Sequence, residues 1–146
     1  MKRIDFQQLA ELRFKEAKAL LAEGFPEGAY YLAGYAVECA LKACIAKRTQ
    51  EHDFPEKESI QFYSHDLEKL LGFAKLKNEF DLALRADPAM DANWIIVKDW
   101  SETSRYERKT IADATGLLKA IEDQTGGLLP WVQKRWSVST SKTEKK

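Results

Sequence analysis

The stretch from Pro26 to about Arg48 carries helical periodicity and is apolar nearly all round. Ala29, Ala33, Val37, Ala40 and Cys44 recur along one side, while Tyr30, Leu32, Leu41 and Ile45 fill much of the rest. Small side chains on that side let neighbouring helices approach closely. Gly34 fits the same account, because a mid-helix glycine otherwise costs about 1 kcal/mol against alanine. Tyr31, Tyr35, Glu38 and Lys42 step by four, three and four along a second stripe. On a solvated face, Glu38 and Lys42 would be an i,i+4 ion pair worth about 0.3–0.5 kcal/mol. So few polar residues surround them that a groove or an interface is the favoured setting, which makes the pair a site candidate.

Helix signals dominate the remainder. Phe6, Ala10, Phe14, Ala17 and Leu21 mark a first helix that Gly24 stops, with Pro26 suited to the first turn of the next. Thr49 to Ser59 reads as an exposed acidic loop around Pro55. Ser64 is placed to cap a third helix from His65-Asp66-Leu67, which Gly72 breaks or bends before Leu76, Phe80, Ala83 and Leu84 carry it to about Ala86. Asp87-Pro88 restarts a helix that is expected to reach about Thr103. Helix is preferred over a short buried strand for Trp94-Ile95-Ile96-Val97. Ile111, Ala114, Leu118 and Ile121 form another stripe, ended by Gly126-Gly127. Pro130 then restarts a short helix bearing Trp131 and Trp136. The pattern is all-α. One domain over residues 1–136 is followed by a flexible polar tail over 137–146.

Composition narrows the classes of function. The 146 residues hold 23 Lys+Arg and 23 Asp+Glu, and this balance excludes a strongly basic, phosphate-tracking nucleic-acid binder while leaving room for a local basic patch. Two cysteines build neither a disulfide framework nor a Cys-rich zinc module. Cys39 and Cys44 diverge by about 140° on one helix and are read as packing thiols. No apolar run reaches about 18 residues and no signal-peptide core follows Met1, so the expectation is a cytoplasmic protein with no membrane span. Nothing in the pattern calls for a cofactor or a metal.

Three landmarks carry a resemblance. Gly28 through Ala43, after Leu20-Leu21 and Gly24, resembles the second-helix signature of the HEPN domain family. Ser64-His65-Asp66-Leu67 is similar to the family's next landmark, and Ser104-Arg105-Tyr106 to its Arg-Tyr element near the start of the final long helix. They fall in the family's order and span about residues 6 to 125. The resemblance implies a bundle of four to five main helices, here with a short C-terminal helix, that pairs as a homodimer. It also implies nucleotide or RNA handling, beside a nucleotidyltransferase or within a toxin–antitoxin system.

The family's ribonuclease pattern is an arginine followed after four to six residues by a histidine. Arg105 has no histidine in reach, and neither His52 nor His65 completes the pattern. The expectation is therefore a non-catalytic nucleotide- or RNA-binding module. The alternatives are an endoribonuclease toxin with an altered catalytic set, drawing on Glu102, Glu107 or His65, and a purely structural dimerisation module. Lys98, Arg105, Arg108 and Lys109 cluster near Trp100 and Tyr106, either as a phosphate site with stacking rings or as a solvated segment neutralised by Asp99, Glu102 and Glu107. The leading site candidates are Glu38, Lys42, Lys98, Arg105 and Tyr106, with Tyr35, His65 and Glu102 secondary. His65 is expected to be structural, at the start of its helix. Trp131 and Trp136 are placed at a dimer or partner surface.

Overall fold

A computed structural model describes residues 2–52 and 62–137 of the chain. Gly24 ends α1 (Arg3–Ala22) in the left-handed region, at φ 86°. The reversal is fastened by Gly24 N–H on the Leu21 carbonyl (3.1 Å) and Phe25 N–H on the Leu20 carbonyl (2.9 Å). Pro26 then opens α2 (Pro26–His52), and the short link folds it back along α1 in the most extensive helix pairing among the described residues. α2 runs past Arg48, so the first residues of the expected acidic loop are helical. The rest of that loop, up to Ser59, lies outside the described residues.

The near-continuous apolar surface of α2 has a direct cause in packing. It touches α1, α3 (Leu67–Phe73), a 3-10 helix (Glu102–Tyr106), α6 (Ile111–Glu122) and α7 (Leu128–Trp136). Ala29, Ala33, Val37, Ala40, Leu41 and Ile45 are all buried. Each large apolar side chain so enclosed contributes about 1.5–3 kcal/mol. α4 (Lys77–Ala86) and α5 (Pro88–Val97) complete the set, with no strand among the described residues.

Punctuation sets most boundaries, and where it misleads the reason is local. α3 is capped by Asp66, whose carboxylate accepts from Lys69 N–H at 3.1 Å; Ser64, the expected cap, instead accepts from Asp66 N–H. Gly72 stays inside α3. The break falls at Lys75, held at φ 61°, and it divides the expected third helix into α3 and α4, so the described residues hold seven α-helices, slightly more than four to five, in the expected all-α bundle. Asp87 does cap α5, accepting from Ala89 and Met90 N–H. Trp94 to Val97 is helical, as preferred, but α5 stops at Val97 rather than near Thr103, because the chain turns there to carry Trp100 inward. α7 starts at Leu128, before Pro130, with Gly127 at its N-cap.

Of the two tryptophans near the chain end, Trp136 is turned into the bundle and Trp131 stays half-buried. Trp136 is buried and its carbonyl accepts from Gln7 Nε2 at 3.0 Å, while Trp131 packs edge-on to Phe80 beneath Arg135. Val138 to Lys146, most of the expected tail, lies outside the described residues.

Candidate functional site

Gly34 makes the site geometry available. A Cβ built there would lie 2.2 Å from the Trp100 indole ring, so only glycine lets Trp100 lie flat against α2. The residues that follow Trp100 are thereby held on the stripe carrying Tyr31, Tyr35, Glu38 and Lys42. Ser104, in the 3-10 helix, is also buried against the bundle.

Glu38 is 0% exposed, in the middle of α2. A carboxylate taken so far from water requires compensating partners. Lys42 Nζ, itself buried, donates to Glu38 Oε2 at 2.9 Å, and His65 Nδ1 meets the same oxygen at 2.9 Å. His65 Nε2 lies 3.3 Å from Glu102 Oε2 on the 3-10 helix. A chain of polar contacts thus runs from Lys42 through Glu38 and His65 to Glu102. It includes two of the leading candidates and two of the secondary ones. Spacing within the helix pairs Glu38 with Lys42; nothing in the sequence links them to His65 and Glu102.

Arg105 and Tyr106 form the outer edge. The Arg105 guanidinium lies 4.8 Å from the Tyr106 ring centroid and 6.0 Å from that of Tyr31. Hydrogen bonding to Tyr106, then its charge interaction with that ring, raises the Arg105 pKa above its ordinary value. No carboxylate pairs with Arg105 among the described residues, and Tyr106 is 77% exposed. Beyond them Lys109 sits 4.3 Å from the Tyr30 ring centroid. Glu27, which sequence reasoning did not single out, accepts from Lys109 N–H at 3.3 Å and lies 3.6 Å from Arg108 Nε.

Other candidates separate from this edge. Trp100 is buried and offers no stacking face beside Tyr106. Lys98 lines a cleft of about 460 Å³ with Trp94, Trp100 and His65. Asp66, Glu68, Asp99 and Glu102 line it too, and four carboxylates against Lys98 and His65 disfavour phosphate there. Tyr35 is half-buried; burial, then the neighbouring Cys39, push its hydroxyl up to about 12. Among the described residues no group of three or more His, Cys, Asp and Glu is placed to hold a metal ion, and no helix is long and apolar enough to cross a membrane.

Residues 5–124 match the family model described as HEPN domain. No curated protein and no solved structure matches the chain.

Proposed function

Because the chain belongs to the HEPN domain family, we propose that it is a non-catalytic module binding nucleotide or RNA through Arg105 and Tyr106. The observation that carries this reading is an exposed guanidinium held by two tyrosine rings and left free of carboxylates among the described residues. Its fork of donors suits a phosphate, which it can grip bidentately. The open face of Tyr106 suits an unpaired base, and such stacking is worth about 1–3 kcal/mol per base. Lys109 and Arg108 extend the cationic edge without making the whole molecule basic. Against catalysis stands the engagement of both His65 ring nitrogens by carboxylates, which leaves neither directed at a scissile phosphate. A homodimer, and a partner such as a nucleotidyltransferase or an antitoxin, belong to the same proposal and rest on family membership.

Anisotropy of a labelled single-stranded RNA, titrated with the protein at low salt, tests the reading. Arg105→Ala is expected to weaken binding by about tenfold or more and to flatten the salt dependence by about one phosphate contact. Unchanged affinity in that variant overturns the site.

One observation favours a second reading, an endoribonuclease. His65 and Glu102, two of the only local groups able to serve as a substitute base, are brought together by the fold. Metal-free incubation with total RNA separates the two. Intact RNA is expected, and cleavage that disappears in Arg105→Ala would establish the enzyme instead.

A further inference from the structure

A five-residue 3-10 helix has poor internal hydrogen-bond geometry and little stability of its own. Backbone bonds from Ser104 N–H to Ser101 O and from Glu107 N–H to Ser104 O close its two ends, and it is only about one and a half turns long. Its position must therefore be set from outside. Trp100 and Ser104 hold it by burial, but apolar contact fixes distance better than angle. Direction comes from two polar tethers to α2, one at each end. Before the site, Glu102 reaches Glu38 through His65. After it, Lys109 N–H and Arg108 reach Glu27. Arg105 and Tyr106 lie between these tethers, and Arg105 meets α2 at Tyr31.

We infer that His65 is a positioning residue, a two-ended clamp that ties the 3-10 helix to the buried Glu38 and so sets the aim of Arg105 and Tyr106 without touching the ligand. The inference rests on the phosphate-and-base reading of those two residues. His65 is suited to the task because its two ring nitrogens are rigidly opposed, which spans two carboxylates where a lysine would offer one mobile charge. Lys42 has the complementary part. By pairing with Glu38 at 2.9 Å it compensates the burial of that carboxylate, giving the clamp a fixed inner anchor. Glu38 Oε1 finds no partner among the described residues, so the Oε2 contacts carry the whole attachment.

The test is a double-mutant cycle combined with local amide exchange. His65→Ala strips Glu38 of one of its two partners and can unfold the chain. Glu102→Ala, at the half-exposed outer end, opens the same clamp while leaving Glu38 paired. Either variant is expected to weaken single-stranded RNA binding about five- to tenfold, and to have no further effect in an Arg105→Ala background. An equal loss in both backgrounds would mean that His65 or Glu102 contacts RNA directly, and would overturn the inference. Deuterium exchange of the free protein gives a second readout that needs no ligand. Amides of residues 101–107 are expected to exchange about tenfold faster in Glu102→Ala, while those of α1 and α2 keep the wild-type rate. Uniform acceleration would reduce the clamp to general stability, and no acceleration would remove it altogether. Should the wild-type protein bind no RNA, the functional reading falls by itself, and the exchange pattern still decides the clamp.

Discussion

Cys39 and Cys44 illustrate how far burial alone can move a residue's chemistry. Loss of hydration pushes both thiols up to about 12, and for Cys39 the nearby Glu38 charge adds to it. Their divergence on one helix and their packing character are legible from spacing, and both are free and buried. Between the folded thiol and one at its ordinary 9.0, the thiolate fraction at pH 8 differs by about 10³-fold, so native protein should resist iodoacetamide while urea-unfolded protein reacts readily. Mass spectrometry of the two samples checks it. The sign for stability follows from the raised values. The stabilising contribution is complete below about pH 9, where thiols are protonated in both states, and is lost as pH climbs toward 12. Glu38 and Lys42 were legible as a pair by their spacing of four. Their link to His65, 27 positions on, was not, because long-range meetings depend on where intervening turns send the chain.

Among the elements, those with side-chain punctuation are the ones a reader of the sequence can bound. Gly24 and Asp87-Pro88 supply a conformation or a hydrogen bond that physical chemistry assigns to particular residue types. Lys75 gives no such sign, since a lysine at φ 61° is chosen by its surroundings, and Gly72 drew attention three residues too early. The stop at Val97 is of the same kind. It follows from the seat of Trp100 on Gly34, a contact between two elements that neither encodes alone. Gly34→Ala tests that seat. Alanine improves helix propensity by about 1 kcal/mol, yet its methyl would enter the indole ring, and overpacking of this sort costs about 1–3 kcal/mol. The expected outcome is net loss of stability in urea with a shift in tryptophan emission. A gain in stability would show that Trp100 can move aside freely.

At the level of the whole molecule, neutrality of charge conceals a division of labour. Carboxylates gather at the Trp94–Trp100 cleft, while unpaired cationic character sits at the Arg105 edge. The all-α class was legible because every apolar stripe had the helical period. The burial of Trp136 was not, since lying near a chain end says nothing about which way a side chain faces. Trp136→Ala should therefore destabilise the fold by about 3–5 kcal/mol, and leave the sedimentation coefficient of the folded protein as it is in the wild type. A change in oligomeric state at undiminished stability would restore the interface that the sequence suggested.

The anchoring of the 3-10 segment also bears on how such a chain can diversify. Trp100, Glu102 and Ser104 fasten it to the bundle, whereas Arg105 and Tyr106 are exposed and make no hydrogen bond or ion pair that ties the segment to α2 through a carboxylate. Fastening and reading are thus assigned to different residues of one short stretch. Exchanging the exposed residues alters what the protein meets without redesigning what holds it together, so new preferences can be sampled on an old scaffold at little cost to folding.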